Sequence, residues 1–476
     1  MKNLNRKIAT KSLLPTKVLQ FGSGNFLRGF ANYIIDELND QGFNGGIAVV
    51  KNRPGSSMLD LQQQDGIFTL FTEGIKNGEV VQQSRLITCT NTLINPYDSY
   101  EAYLDLATEP ELKLIVSNTT EAGIYFDPSD AHLENGPHNS FAAKLTALLY
   151  KRYVFFNGDP EKGLFILPCE LIENNGKVLR EIVLQYAALW HLADEFVDWL
   201  LNQSRFYNTL VDRIVSGYPK ENEAKYATQL DYTDKLITIC EPYLFWAIEG
   251  DAALAEHFPF HHFRDQIVLV DDLTPYRLRK VRILNGAHTI MAQIGRLQNL
   301  ETVGNCMQNE FTHNFTLKAI QEEILPTISF PAHNLEQYTE EVLDRFKNPY
   351  LRHYLSDIAQ NTIVKFKMRL LPAIVDYIRI KHTYPKHLIF TLAALIHINK
   401  KEWDSWLLAA DPIESDMDSL TKNSSNRSTY DKVVFSFIAK YEFADRYLNK
   451  DNFSQPLSHM LEIIDKHGLE NGYAKF

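Results

Sequence analysis

Lys17-Val-Leu-Gln-Phe21 runs into Gly22-Ser-Gly24, and beyond that turn Phe26, Phe30, Ile34 and Leu38 recur every four residues. A short apolar run, a glycine pair and an amphipathic repeat predict strand, tight turn and helix. Gly45-Gly-Ile-Ala-Val-Val50 predicts a second buried strand, which closes a β-α-β unit. Residues 112–116 and 164–167 read as further strands and residues 141–150 as a helix between them. This alternation predicts an α/β fold with a mostly parallel, doubly wound sheet.

The pattern changes near Thr274. Helical periodicities fill residues 276–296, 335–346, 363–380, 387–398 and 430–441, with Pro275 suited to a first helical turn. An all-helical second domain is expected, giving units 1–273 and 274–476; 476 residues exceed what one core usually organises. Lys422-Asn-Ser-Ser-Asn-Arg-Ser428 reads as a surface loop. Apolar residues at 45% and charged residues at 22% argue against disorder and against a membrane protein. A net charge of −11 disfavours nucleic acid and anionic membrane as partners, so an anionic ligand needs a local basic cluster. No protein partner is inferable. Cys89, Cys169, Cys240 and Cys306 are widely spaced, which predicts reduced thiols and no zinc site. The polar first residues carry no secretory signal, and residues 388–398 are too short to span a bilayer, so a cytoplasmic location is expected.

Gly22-Ser23-Gly24 lies where a dinucleotide pyrophosphate rests against backbone N–H groups at a helix start. The third glycine of the usual fingerprint would fall at Leu27, so an ordinary tight turn is the competing reading. At the end of the second strand, Lys51-Asn52-Arg53 replaces the acidic residue that holds NAD ribose, and that chemistry alone leans toward NADP. Ser117-Asn118-Thr119-Thr120-Glu121 follows another buried strand, at the edge where a nicotinamide would lie.

Tyr276-Arg-Leu-Arg-Lys280-Val-Arg-Ile-Leu-Asn285-Gly-Ala-His288 carries the chemistry. Ketone reduction needs a proton for the new alkoxide, and a lysine delivers it if its pKa falls toward neutrality. That shift costs about 4 kcal/mol, from desolvation or from cations such as Arg279 or Arg282. Asn285 would donate to the oxyanion, and His288 would orient substrate hydroxyls. In a regular helix Lys280 and Asn285 stand about 140° apart, and a bend at Gly286 could bring them together. Competing readings are a solvated basic helix with a buried histidine, a Schiff-base lysine of a lyase or aldolase, and a nucleotide-binding regulator. His257, His261 and His262 match no standard metal spacing and read as structural.

Lys280-x4-Asn285-x2-His288, together with Gly22-x-Gly24-x-Phe26-x-Arg28, resembles the mannitol dehydrogenase family of long-chain polyol and hexuronate dehydrogenases. Phe206 to Arg213, Glu241-Pro242, Trp246 and Lys365 extend the resemblance in order along most of the chain. It implies an N-terminal Rossmann-type domain, a helical C-terminal domain and an active site in the cleft between them. It also implies NADH rather than NADPH, and no metal. Around the cofactor it implies Leu19, Gly22, Ser23, Gly24, Asn25, Phe26, Arg28, Phe30, Lys51, Ser117, Asn118, Thr120 and Glu121. Lys280 becomes the general acid/base, Asn285 an oxyanion donor, His288 a substrate contact, Asp212 the residue that orients the lysine and Lys365 a substrate ligand. Three positions depart from the polyol-oxidising pattern. Leu171 replaces a second oxyanion donor, for which Asn174 or Asn175 could substitute. Asp357 stands eight residues before Lys365 in place of an arginine, and Arg277 stands three before Lys280 in place of an acid. An added cation suits a carboxylate. The expected reaction is reduction of the keto-hexuronate tagaturonate to altronate, with fructuronate or a plain polyol as alternatives.

Overall fold

The computed structural model describes residues 2–55, 58–120, 123–350, 352–406, 428–443 and 450–475, without side chains at 332–333 and 450–452. Glu121 and residues 422–427 of the expected loop lie outside the described residues. The chain forms two compact units, Met1–Leu273 and Thr274–Phe476.

The first unit is built on a six-stranded parallel sheet: β1 (Thr16–Phe21), β2 (Gly46–Val50), β3 (Thr90–Ile94), β4 (Leu114–Ser117), β5 (Phe165–Pro168) and β6 (Arg205–Phe206). The spatial order is β3-β2-β1-β4-β5-β6. Phe21 pairs with Val50 on one side and Ser117 on the other, so the carboxyl ends of the central strands align. Strand order reverses at β1, which opens a crevice there. Alternation along β1 covers both faces. Val18 packs with Leu27, Phe30, Ile34 and Leu38 from the following helix. Leu19 and Phe21 pack on the opposite face with Phe141, Leu145 and Leu179.

That first helix begins at Asn25–Leu27, widens to a π stretch at Arg28–Asn32 and continues as Tyr33–Asp40. Asp36 ties it to a strand pair, bonding Arg85 Nε at 2.9 Å and accepting the Thr88 N–H at 2.7 Å. The pair is a long hairpin, Phe68–Lys76 with Glu79–Ile87, turned by Asn77 and Gly78 at φ 55° and 77°. Two positive φ values in a two-residue loop fit the twist of the flanking strands, which selects Asn-Gly. The hairpin extends a four-stranded sheet with Val215–Gly217 and Thr238–Cys240. Thr209–Asp212, Phe245–Ile248 and Ile267–Leu269 form a third sheet, and Lys2–Asn3 pairs with Tyr232–Thr233 in a short fourth.

The second unit is helical. Its described residues hold no strand beyond an isolated bridge between Thr302 and Tyr354. Gly286–Leu297 and Lys386–Ile398 are buried along most of their length, the signature of helices at the centre of a core. Gly295 permits close packing: a Cβ there would stand 2.5 Å from Cys306 Sγ. Buried Glu323 accepts the His387 and Leu388 N–H groups at 2.8 and 2.9 Å and His387 Nδ1 at 2.7 Å, and Tyr473 donates to His387 Nε2 at 2.7 Å. The stretch expected as one helix over 363–380 is two, Thr362–Arg369 and Leu371–Lys381, broken at Leu370. Pro372 explains the break, since it has no N–H to continue the ladder. No helix of the described residues is long and apolar enough to cross a membrane.

Candidate active site

In the first unit the glycine turn sits at the crevice. Gly22 has φ 115°, and a Cβ there would lie 3.2 Å from the Asn118 carbonyl oxygen, so glycine is required on both counts. Gly24 precedes the helix, and a Cβ there would meet nothing within 4 Å. No side chain caps that helix. Its first N–H groups therefore face open space at the crevice, the arrangement that holds a pyrophosphate. Asn25 and Gly24 are exposed, Ser23 is half-buried, and Asn25 accepts a hydrogen bond from Arg28. Burial lowers the Arg28 pKa to about 10, and its guanidinium lies over the Phe68 ring at 5.6 Å.

Several expected cofactor residues serve the core instead. Leu19 and Phe30 are fully buried, and Phe26 stacks on Phe30 at 5.0 Å. Ser117 is also buried, its hydroxyl donating to Glu170 at 3.0 Å. The same carboxylate accepts the Thr119 N–H at 2.8 Å and hydroxyl at 2.9 Å, while burial raises its pKa. Asn118 donates to the Cys169 carbonyl at 3.2 Å, and Thr120 adopts φ 88°. The loop at the carboxyl edge of β4 is thus fixed from below by Glu170. Arg53 donates to the Thr119 carbonyl at 3.2 Å and the Thr120 hydroxyl at 2.9 Å, and Lys51 is buried.

Asn175 is the clearest correction. Its amide donates to the carbonyls of Pro168 (2.9 Å), Glu170 (3.0 Å) and Thr209 (3.1 Å), and its oxygen accepts the Gly176 and Thr209 N–H groups. Two hydrogens shared among three carbonyls leave none for an oxyanion. Asn175 is a clamp between loops. Asn174 is exposed, in the left-handed region at φ 54°. Asp212 is buried and ends its strand opposite Phe245.

In the second unit the lysine helix is not regular. Thr274–Arg279 passes into a π stretch at Lys280–Asn285 and then into Gly286–Leu297. The Gly286 N–H reaches the Val281 carbonyl, five residues back. A π turn closes on that spacing, so residues five apart stack roughly over one another. Lys280 and Asn285 therefore share a face. The bend expected at Gly286 is absent: its φ and ψ are −62° and −50°, and a Cβ there would press on Leu370 Cδ2 at 3.1 Å.

Lys280 and Asn285 are half-buried, and the Asn285 carboxamide makes no hydrogen bond among the described residues. His288 is buried, with its Nε2 lacking a partner among them. Its ring lies 4.6 Å from His353 and 4.8 Å from Phe346. Burial, then His353, Arg345, Arg369 and Lys365, hold its pKa well below the usual value, so the imidazole is neutral. Lys365 donates to the Ile358 carbonyl at 2.9 Å, and Arg369 donates to the Thr289 hydroxyl at 3.3 Å.

Both cations expected beside Lys280 make contacts of their own. Arg282 pairs with Asp376 at 2.6 Å and bonds Thr327 at 2.7 Å. Arg279 lies over the Tyr338 ring at 4.2 Å. Arg277 is half-buried in the first turn. His261 and His262 stack at 4.2 Å, and no group of three or more potential metal ligands forms among the described residues.

The sequence profile of the mannitol dehydrogenase Rossmann domain matches residues 16–261, and that of the mannitol dehydrogenase C-terminal domain matches residues 272–459. The chain belongs to the mannitol dehydrogenase family. An altronate oxidoreductase of Bacillus subtilis (strain 168) is 45% identical over 399 residues, 83% of this chain and 82% of that relative. An altronate oxidoreductase of Escherichia coli O139:H28 is 41% identical over 404 residues, 84% and 83% of the two chains. Mannitol 2-dehydrogenase of Pseudomonas fluorescens, solved with NAD and D-mannitol, shares the fold at TM-score 0.69 and 20% identity, covering 100% of this chain and 99% of that one. A D-sorbitol dehydrogenase shares it at TM-score 0.77 and 18% identity, covering 99% and 100%. As a mannitol dehydrogenase family member, this protein is an oxidoreductase acting on CH–OH groups, of the polyol and hexuronate dehydrogenase type. That class displaces the lyase and regulator readings of Lys280.

Sequence reasoning missed Arg345, His353 and Arg369, which surround His288. Arg369 had a signal, one helical turn beyond Lys365. The other two had none, because tertiary packing alone brings them to the histidine.

Proposed function

We propose that this enzyme reversibly reduces tagaturonate to altronate with NAD(H), and that Lys280 transfers the proton. The observation that carries the reading is the π register, which sets Lys280 and the unbonded Asn285 carboxamide on one face. The altronate oxidoreductase name of the relatives supports the substrate. The N–H groups at the start of the first helix, with Gly22, Ser23 and Gly24, hold the pyrophosphate, and Asn118 and Thr120 border the nicotinamide side. Bound there, NADH supplies a hydride for the substrate's carbonyl carbon. NAD is favoured over NADP because Lys51 is buried and Arg53 is turned onto the Thr119 carbonyl and the Thr120 hydroxyl, away from the role of a 2′-phosphate ligand.

In the reductive direction Lys280 Nζ gives its proton to the former carbonyl oxygen, which becomes the alcohol. Asn285 Nδ2 donates a hydrogen bond to that oxygen as its charge grows, and this favours the transition state over the ground state. Neutral His288 presents Nε2 to a substrate hydroxyl. Asp212 keeps the role the family resemblance implies, orienting the lysine, and Lys365 and Arg277 act as substrate ligands. Purified enzyme assayed with tagaturonate, fructuronate and fructose, each with NADH and NADPH, tests the proposal. NADH-dependent turnover of tagaturonate, lost in Lys280→Met, is expected. Equal rates on fructose would end the uronate assignment, and undiminished turnover in the variant would end the role of Lys280.

A further inference from the structure

We infer that Glu170 is the positioning residue for the nicotinamide end of the cofactor site: it presets the Ser117–Thr120 loop that a dinucleotide meets beyond the glycine turn. The inference rests on the cofactor site proposed above. Glu170 follows β5 and is 2% exposed, and its carboxylate bonds across to the end of the neighbouring strand β4. Oε2 accepts the Ser117 hydroxyl at 3.0 Å, and Oε1 accepts both the Thr119 N–H at 2.8 Å and its hydroxyl at 2.9 Å. All three partners are donors, which suits a group that can only accept when ionised. They offset the burial that pushes its pKa up.

A buried carboxylate is a costly fastening for a loop, so what it fastens matters. Buried Thr119 takes the anchor, while half-buried Asn118 and exposed Thr120 flank it. Thr120 is β-branched and stands at φ 88°, a strained backbone that persists only where its surroundings over-determine it. They do so here. Arg53, beyond β2, donates to the Thr119 carbonyl at 3.2 Å and the Thr120 hydroxyl at 2.9 Å, and the Gly123 N–H donates to the Thr120 carbonyl at 3.0 Å. A Cβ on Gly123 would collide with the Thr119 hydroxyl. The loop also abuts the glycine turn, since the Asn118 carbonyl is what a Cβ on Gly22 would meet. Strain held this firmly beside a dinucleotide turn preorganises the loop before the ligand arrives.

Titrations of the purified enzyme with NADH and with ADP-ribose test this, because ADP-ribose carries the pyrophosphate and lacks the nicotinamide. Glu170→Ala is expected to weaken NADH by about tenfold or more, the loss of a charged hydrogen-bonding group, and ADP-ribose by less than about twofold. Glu170→Gln keeps an oxygen for Thr119 and should recover most of the NADH affinity. Thr119→Val keeps the N–H bond and loses the hydroxyl, so it should show a smaller loss, about threefold, again for NADH alone. Equal losses of both ligands in Glu170→Ala, or undiminished NADH affinity in it, overturn the inference and leave the cofactor site standing. A wild-type enzyme that binds neither ligand defeats the cofactor site as well. If Glu170→Ala does not fold, Thr119→Val decides by the same comparison.

Discussion

Asn285→Ala separates catalysis from stability more cleanly than any other substitution in this site. The carboxamide makes no hydrogen bond among the described residues, while the Asn285 backbone carbonyl accepts the Thr289 hydroxyl at 2.9 Å and survives the change. Alanine therefore removes no fold-stabilising bond, and it is the better helix former by roughly half a kcal/mol. Thermal stability should hold or rise slightly. Catalysis should suffer, because a donor aimed at a developing oxyanion contributes about 3–4 kcal/mol to the transition state, or roughly a hundred- to a thousandfold in kcat. KM should move little, since that bond strengthens only as charge develops. The assay is loss of NADH absorbance with tagaturonate over a substrate series, beside a melting curve of each protein. A kcat within about threefold of wild type would refute the oxyanion role. A lowered melting temperature would instead show that the side chain holds the wide turn together.

Asn175→Ala should behave in the opposite sense: a buried clamp satisfying three carbonyls and two N–H groups is lost, costing about 3 kcal/mol or more. The unfolding midpoint in denaturant should fall clearly, and an unchanged midpoint would return Asn175 to the list of substrate ligands. Acid should destabilise the fold through its buried and half-buried imidazoles. His138, His288, His353 and His397 all have lowered pKa values, with burial the first cause in each. The unfolded chain binds protons that the folded one refuses, so this stability is complete above about pH 6.5 and is lost as pH falls below it. Glu170, with a raised pKa, acts in the other direction, so the comparison is between proteins: His288→Gln should show a shallower loss of melting temperature on acidification than wild type. Parallel curves would remove His288 from the explanation.

How much the sequence revealed depended on the range of the forces involved. The strand, turn and helix around Gly22 were legible because alternating and four-residue repeats are local signals that burial on both sheet faces then enforces. The helical second unit was legible for the same reason, except at Pro372, whose missing N–H was overlooked. The hairpin of Phe68–Ile87 went unread although Asn77-Gly78 marks it strongly. The π stretch at Lys280–Asn285 was not readable, since propensities do not distinguish a wide turn from a regular one. Spacing gave a 140° separation that the backbone does not have. Asn175 was misassigned because its partners, Pro168 and Thr209, lie on separate segments joined only by folding.

Two helices that carry the proposed site residues hold an extra residue in a turn: Arg28–Asn32 behind the glycine pair and Lys280–Asn285 at the proposed proton donor. Excising one residue from either would regularise the coil and swing everything on one side of the cut by about 100°. Shortening these segments is thus closed to a protein engineer, however favourable the tighter ladder looks on paper. Hardening the enzyme against heat has to begin elsewhere, for instance at the join that Glu323, His387 and Tyr473 make between the C-terminal helix and the centre of its unit.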